Sequence, residues 1–291
     1  MRYYLTAVLV LSIAISYLVP KSLAQGQDDM KGQITISGAW ALYPLAVRWA
    51  EEFQKVYPNI KIDISAGGAG KGITDALSGA VDLGMVSREI NPLEIKQGIW
   101  TVSVAKDAVV ATINAQNPEI KDILAHGISQ GMLQKIFITG DIKKWGQVAG
   151  NNNADAINVY TRSDACGAGQ TWAKYLGAKQ EDLGGIGVYG DPGVVEAVKN
   201  DKFAIGFNNI SFAYDVKNRK AVNGLEIVPI DPPMQPRELY FVSKGIPGKK
   251  EVRAFLLWII TQGQGFVPEM GFIKISQERI NEDQQKVGDE Q

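Results

Sequence analysis

The residues whose chemistry stands out most lie in one stretch, residues 161–171 (TRSDACGAGQT), which contains Arg162, Cys166 and two glycines. An apolar run precedes this stretch and a helix-like run follows it, which predicts a strand, a glycine-containing turn and a helix. The first turn of a helix has unpaired N–H groups and the positive end of the helix dipole. The stretch is therefore a candidate oxyanion site; an ordinary strand-to-helix connection is the alternative.

Few side chains could support catalysis or hold a transition metal. His126 is the one histidine and Cys166 the one cysteine among 291 residues. One histidine and one cysteine cannot form a Cys/His zinc site, and a single cysteine cannot form an intrachain disulfide. A catalytic nucleophile with a histidine base is also disfavoured, because His126 is the one histidine that could serve as the base. No cofactor and no metal are expected, and His126 is interpreted as structural.

The first 24 residues have the form of a secretory signal peptide. A basic start and an apolar run lead to small residues at Ser22 and Ala24, which predicts cleavage after Ala24 and a periplasmic or extracellular protein. The apolar run approaches the ~20 residues that span a bilayer, so a retained membrane anchor is the alternative. Cleavage would remove Arg2 and Lys21 and make the formal net charge of −1 more negative. This charge argues against nucleic acid as a partner.

The strand, turn and helix of residues 157–176 have two counterparts, at 34–45 and 60–77. Strands that alternate with helices predict an α/β fold with mainly parallel sheets. In such sheets ligands lie beyond the C-terminal ends of the strands, where helix N-termini point. The three turns are therefore predicted to converge on an anion without a metal.

The second of these turns, residues 65–72, looks at first like a P-loop. Ser65 stands at the first glycine of the pattern G-x-x-x-x-G-K-[ST], and Gly72 stands where the magnesium-binding hydroxyl belongs. An exported protein also meets no ATP. We reject nucleotide binding here and keep an anion-binding turn, with a flexible surface loop as the alternative.

Several motifs together resemble the phosphate-binding proteins of phosphate ABC transporters, which are type II periplasmic binding proteins. The resemblance covers about residues 34–276. The motifs that carry it are, in chain order, residues 34–45, the glycine-rich loop at 67–72, DLG at 82–84 with Ser87-Arg88, GDIKKW at 140–145 and RSDACGA at 162–168, where the family has R-x-D-G-S-G-T.

This resemblance implies two α/β lobes joined by two hinge strands, which close over one phosphate ion. Lobe 1 is expected to comprise residues 33–112 and 222–291, and lobe 2 residues 113–221. The chain is expected to cross between the lobes near residues 109–114 and 205–212.

The resemblance also implies the residues that contact the anion. They are the backbone of Leu42 and Tyr43, together with Gly70, Ser87, Arg162, Cys166, Gly167 and Ala168. Asp164 is expected to hold Arg162 in place as an ion-pair partner.

The expected site departs from the family pattern because hydroxyl groups are missing. Threonine or serine is common in the family at the positions of Leu42, Gly70, Cys166 and Ala168. Each lost charge-assisted hydrogen bond costs roughly 1.5–3 kcal/mol unless another group replaces it. Ser87 stands where many family members have an aspartate that repels fully ionised sulfate, so the basis for excluding sulfate is weaker here.

The leading prediction is an extracytoplasmic solute-binding protein that captures phosphate or a similar tetrahedral oxyanion for an ABC permease in the membrane. A secreted oxyanion sensor or interaction protein with a weakened site, and a molybdate, tungstate or sulfate binder, are the alternatives on the same fold. A phosphatase with Cys166 as nucleophile is a third class, because a helix N-terminus and Arg162 would lower the pKa of the thiol. The arginine precedes the cysteine, however, so the C-x₅-R spacing of cysteine phosphatases is absent, and an enzyme is not expected.

Overall fold

The computed structural model of the protein describes residues 30–288, and the predicted signal peptide lies outside them. Five strands form a first sheet: β1 (Gly32–Gly38), β2 (Ile60–Ala66), β3 (Leu83–Val86), β4 (Ile99–Asp107) and β14 (Arg237–Lys244). Their spatial order is β2-β1-β3-β14-β4. β1 is parallel to β2 and β3, whereas β14 is antiparallel to β3 and β4.

Helices cover the first sheet and bury its apolar side chains. They are α1 (Tyr43–Val56), α2 (Ala69–Ser78), α3 (Pro92–Lys96), α10 (Lys250–Ile260) and α11 (Gln277–Gly288), with 3₁₀ turns at Gln262–Gly265 and Pro268–Met270. The predicted amphipathic helix is α1, and its Leu45, Trp49 and Phe53 are fully buried. Trp49 Nε1 also donates a hydrogen bond of 2.8 Å to Gly263 O, so the core fixes the helix that follows the first turn.

A second sheet contains β5 (Val109–Asn114), β7 (Asn158–Arg162), β8 (Ile186–Val188), β9 (Ala204–Asn209) and β12 (Leu225–Val228). Its spatial order is β12-β5-β9-β7-β8. β7 is parallel to β8 and β9, and β5 is antiparallel to β9 and β12. Two short pairs lie beside it, β6 (Ile128–Ser129) with β13 (Ile230–Asp231) and β10 (Tyr214–Asp215) with β11 (Lys220–Ala221).

The helices around the second sheet include α7, which begins directly after the turn at residues 163–166 that follows Arg162. In chain order they are α4 (Ile120–His126), α5 (Gln130–Gln134), a π-helix (Lys135–Thr139), α6 (Trp145–Ala149), α7 (Gly167–Tyr175), a 3₁₀ turn (Gln180–Asp182), α8 (Gly190–Asn200) and α9 (Ile210–Ala213). Trp172 of α7 stacks on Phe207 of β9 with ring centroids 5.4 Å apart. This contact anchors α7 on the sheet.

The chain crosses twice between the two sheets. β4 ends at Asp107 and β5 begins at Val109, so Ala108 alone separates the two sheets at the first crossing. The second crossing runs from Asp231 to Arg237, between β13 and β14.

The predicted α/β architecture of two lobes is confirmed, but strand pairing does not follow the predicted boundaries. β5 and β12 both pair within the second sheet, although residues 109–112 and 222–231 were expected in lobe 1. Residues 205–212, expected to be a crossing, form β9 and α9 of the second lobe. Local sequence does not reveal which sheet a short apolar strand joins. We propose residues 30–107 and 237–288 as lobe 1, and 109–231 as lobe 2.

Candidate functional site

The turn after β2 and the turn after β7 meet across the two lobes. The Gly70 N–H donates a hydrogen bond of 3.2 Å to the Ala165 carbonyl oxygen. A Cβ atom on Gly68 would lie 2.7 Å from the same oxygen and 3.1 Å from Asp164 Oδ2. Two of the three glycine-bearing turns therefore converge, and small residues allow their backbones to touch.

A second interlobe contact joins Ser87 to the first residue of α7. Ser87 follows β3 and is buried. A Cβ atom on Gly167 would lie 2.3 Å from both the carbonyl oxygen and Oγ of Ser87. Glycine is therefore required at this position for the lobes to approach as they do.

The turn before α1 lies between Trp40 and Tyr43. The Leu42 N–H donates to Ala39 O at 3.2 Å, and the Tyr43 N–H donates to Trp40 O at 3.1 Å. These two backbone donors, which were expected to face the anion, are thus engaged within their own turn in this conformation.

Trp40 connects this turn to lobe 2, a role for which the sequence gives no signal. Its ring makes edge contacts with Tyr189 and Phe212, with centroids 6.0 and 6.4 Å apart. Gly190 has a φ of +73°, and a Cβ atom there would lie 2.9 Å from Trp40 Cε2. The bulky side chain therefore fills the space between the lobes beside the start of α8.

Arg162 is the buried cation of the site. Its Nε donates to Asp164 Oδ1 at 2.7 Å, and its Nη2 donates to Asp164 Oδ2 at 2.6 Å. Its Nη1 donates to Asp191 Oδ2 at 2.7 Å. Burial disfavours the charged guanidinium, but the hydrogen bonds with Asp164 and the charge of Asp191 outweigh burial and raise the Arg162 pKa. Arg162 therefore remains a cation.

Asp191 is a partner of Arg162 that sequence reasoning missed. It lies in the first turn of α8 and is completely buried. Its Oδ1 accepts the Asn209 N–H at 2.8 Å, and its Oδ2 accepts Asn209 Nδ2 at 2.7 Å. An aspartate just before Pro192 is an ordinary helix-start signal, so the sequence marks the helix but not the arginine 29 residues away.

The thiol of Cys166 caps the N-terminus of α7. Its Sγ accepts the Gly169 N–H at 3.2 Å, and its own N–H donates to Gln180 Oε1 at 3.2 Å. Burial raises the pKa of the Cys166 thiol to about 12, although the Arg162 charge and the Gly169 N–H act in the opposite direction. The expectation of a lowered thiol pKa is wrong, because desolvation outweighs the neighbouring charge.

Gly167 and Ala168 occupy the first turn of α7 and are both buried. Backbone N–H groups at these positions have no carbonyl four residues earlier within the helix. The next two N–H groups, of Gly169 and Gln170, bond to Cys166. Within the helix, the N–H groups of Gly167 and Ala168 therefore have no carbonyl partner.

Two other cations near the turns are directed to carboxylates within lobe 1. Arg88 forms a fork with Glu94, with hydrogen bonds of 2.9 and 2.6 Å. Lys71 bonds to Asp75 one helical turn away. Neither side chain replaces the missing hydroxyl groups in this conformation. Residues 30–288 contain no group of three or more His, Cys, Asp or Glu side chains that could hold a metal ion.

Comparisons with known proteins agree with this architecture. A family model described as the PBP superfamily domain matches residues 23–261. The phosphate-binding protein PstS of Bacillus subtilis (strain 168) is 33% identical over 198 residues, which are 67% of this chain and 62% of that protein. Protein SphX of Synechococcus elongatus is 27% identical over 292 residues, which cover 92% of this chain and 84% of that protein.

Solved structures share the fold. A putative phosphate ABC transporter substrate-binding protein with bound phosphate from Clostridium perfringens has a TM-score of 0.74 and 23% identity, and the match covers 84% of this chain and 100% of that one. An ABC-type phosphate transport receptor from Vibrio cholerae has a TM-score of 0.63 and 19% identity, over 83% of this chain and 100% of that one. Because the family model spans most of the sequence and both lobes have the matching architecture, the chain belongs to the PBP superfamily, with the type II periplasmic binding protein fold.

Proposed function

We propose that the protein is an extracytoplasmic solute-binding protein that captures phosphate, or a similar tetrahedral oxyanion, for an ABC permease in the membrane. The observation that carries the proposal is the meeting of turns from both lobes at the N-terminus of α7, beside the buried Arg162. Helix N-termini bind anions because their unpaired N–H groups and dipole both favour negative charge. The relatives named as phosphate-binding proteins support the choice of phosphate.

Arg162 retains donors for such an anion. The described hydrogen bonds to Asp164 and Asp191 use three of the five N–H protons of its guanidinium group. The remaining two are available to an oxyanion. Two carboxylates already outweigh the single charge of Arg162, so the proposed site also depends on neutral donors, which the N–H groups of Gly167 and Ala168 supply.

The other proposed contacts fall into two groups. Ser87 already faces Gly167 and would meet the anion directly. The N–H groups of Leu42, Tyr43, Gly70 and Cys166 have protein acceptors in this conformation. They would contact the anion only by exchanging those acceptors for it when the lobes rearrange, a type of motion expected for domain closure.

The proposal involves capture and delivery without a catalytic step. A Cys166 thiol with a pKa of about 12 is protonated at neutral pH, which makes it a poor nucleophile. The signal peptide predicted from the sequence of residues 1–24 supports a location outside the cytoplasm. Within residues 30–288, no helix has the length and apolar character needed to cross a membrane.

Titration calorimetry of the purified protein with phosphate, sulfate, molybdate and tungstate tests this proposal. We expect phosphate to bind. If none of the four anions bound, the proposal would fail. Binding of only molybdate, tungstate or sulfate would keep the class of protein but replace the ligand.

A matched pair of substitutions locates the bound anion. Gly167→Ala places a methyl group against Ser87, and we expect at least about tenfold weaker phosphate binding, equivalent to roughly 1.4 kcal/mol. Gly193→Ala makes the same change in the first turns of α8, where a Cβ atom meets nothing closer than 3.6 Å. Its affinity should stay near that of the wild type. Equal affinities for the two variants would place the anion elsewhere.

A further inference from the structure

Arg237 ties together the two crossings between the lobes. It is the first residue of β14, directly after the second crossing, and it pairs in register with Asp107, the last residue of β4 before the first crossing. Its Nε donates to Asp107 Oδ1 at 2.9 Å, with a longer contact of 3.4 Å from Nη2 to Oδ2. Asp107 is fully buried and the Arg237 side chain is 10% exposed, so the pair forms part of the interior.

The same guanidinium group reaches helix α7 of lobe 2. Arg237 Nη1 donates to the Gly167 carbonyl oxygen at 2.6 Å and to Thr171 Oγ1 at 2.7 Å. Both acceptors belong to α7, whose first N–H groups face the proposed site. An arginine of lobe 1 thus fixes the helix of lobe 2 from the side of the crossings.

The other end of α7 is attached to the second crossing as well. The Tyr175 hydroxyl donates to the Pro232 carbonyl oxygen at 2.8 Å. With Arg237 near the first turn and Tyr175 at the last residue, the helix is held at both ends by the segment that joins the lobes.

A chain of hydrogen bonds also leads from Arg237 to Arg162. Arg237 Nη2 donates to Asn209 Oδ1. Asn209 donates its N–H and its Nδ2 to Asp191, which accepts Nη1 of Arg162. The crossings are thus connected to both sources of anion donors, the helix and the guanidinium group of Arg162.

The number of N–H protons that Arg237 already uses in hydrogen bonds argues against a direct contact between Arg237 and the anion. Its five N–H protons have five described acceptors: both oxygens of Asp107, Gly167 O, Thr171 Oγ1 and Asn209 Oδ1. None remains for an anion. We propose that Arg237 is a positioning residue, which couples the lobe crossings to the direction of the α7 N-terminus and so sets the affinity for the anion without touching it. This inference rests on the proposed function.

Variants of Arg237 and of its acceptor Thr171 test the inference, with phosphate as the probe. Arg237→Lys keeps the charge but loses the planar fork, and we expect about tenfold weaker phosphate binding. Thr171→Val removes one acceptor, and we expect about threefold weaker binding with faster dissociation. Thr171→Ser keeps the hydroxyl group and should restore the wild-type affinity. Calorimetry and stopped-flow measurements give these values.

Lys174→Ala is the matched control. Lys174 also lies on α7 and also joins the lobes, through a pair with Glu89 at 2.9 Å, but both side chains are largely exposed. Exposed pairs contribute little, so the affinity should change by less than about twofold.

The outcomes separate this inference from the function on which it rests. If the wild-type protein bound none of the four oxyanions, the proposed function would fail, and the inference with it; if it bound only another of them, that anion would replace phosphate as the probe. If the wild type bound phosphate and Thr171→Val bound it equally well with the same dissociation rate, the inference alone would be overturned. The Thr171 variants decide the question even if Arg237→Lys does not fold.

Discussion

Two arginines at the junction of the lobes, Arg162, which is buried, and Arg237, whose side chain is 10% exposed, differ in how their donors are used. Arg162, at the end of β7, faces two carboxylates and uses three of its five N–H protons in the described bonds. Arg237, at the start of β14, faces one carboxylate and three neutral acceptors and uses all five. Burial alone therefore does not reveal which arginine meets a ligand.

This difference assigns anion binding to Arg162 and the positioning of neighbouring groups to Arg237. A guanidinium group with spare donors can add a ligand to its existing partners, whereas a saturated one can only fix the geometry of its neighbours. Precise placement of donors matters because binding energy is lost when groups must be ordered at the moment of binding. Substitutions around the two arginines can test this division.

The largest effect is expected around Arg162. Asp191→Ala removes a buried partner from Arg162 and leaves two donors of Asn209 without their acceptor. Loss of one member of a buried pair costs about 3–5 kcal/mol, so the free energy of unfolding in urea should fall by this amount. Glu196→Ala in the same helix disrupts an exposed pair with Lys199 and should cost less than about 1 kcal/mol. Similar losses for the two variants would contradict our account of the Arg162 cluster.

A smaller effect is expected around Arg237. Asp107→Asn keeps the shape of the side chain but removes the one carboxylate that Arg237 faces. A hydrogen bond to a charged group contributes roughly 1.5–3 kcal/mol, and we expect a loss within this range by urea unfolding, together with weaker phosphate binding. Glu238→Gln is the control at the adjacent position. Glu238 Oε1 lies 4.0 Å from Lys106 Nζ and both side chains are partly exposed, so this pair should contribute little. Unchanged phosphate affinity in Asp107→Asn would indicate that this pair stabilises the fold without positioning α7.

The smallest effect is expected at the cap of α7. Serine is a preferred N-cap residue, so Cys166→Ser should raise the free energy of unfolding by about 0.5–1 kcal/mol. Cys166→Ala, which removes the acceptor of the Gly169 N–H, should lower it. The cap assignment would be wrong if the serine and alanine variants had equal stability.

The raised pKa of Cys166 adds a pH dependence to this comparison. Because the folded-state pKa of about 12 lies above the ordinary pKa of a thiol, which is 9.0, the thiol contributes stability below pH 9 that is lost as the pH rises towards 12. Cys166→Ser should lack this loss between pH 9 and 11. The native thiol should also react slowly with alkylating reagents at pH 8 and quickly once the protein is unfolded. Rapid native reaction at pH 8 would contradict the buried, protonated thiol.

Local patterns in the sequence predict the parts of the site that lie within one strand, turn and helix. The expected forms at residues 34–45, 60–77 and 157–176 correspond to β1 with α1, β2 with α2, and β7 with α7. Apolar periodicity and glycine-bearing turns are local signals, which explains this success. The alternation of strands and helices predicts the α/β class, whereas the division into two lobes is what the family resemblance implies.

Contacts between distant segments could not be predicted in the same way. Arg237 bonds to Gly167 across 70 residues, and Arg162 bonds to Asp191 across 29. Such pairs depend on the order of strands in each sheet, which the sequence pattern leaves open. The sequence predicts a lowered pKa for Cys166, the wrong direction, for the same reason. The helix N-terminus and Arg162 are neighbours of Cys166 in the sequence, whereas its burial depends on the tertiary structure.

Amide NMR of the protein during a phosphate titration tests the central claim most directly. If the first turn of α7 binds the anion, the N–H signals of Gly167 and Ala168 should shift in a saturable manner, with smaller changes at the N–H signals of α8. Saturable phosphate binding that left the Gly167 and Ala168 signals unchanged would contradict the account.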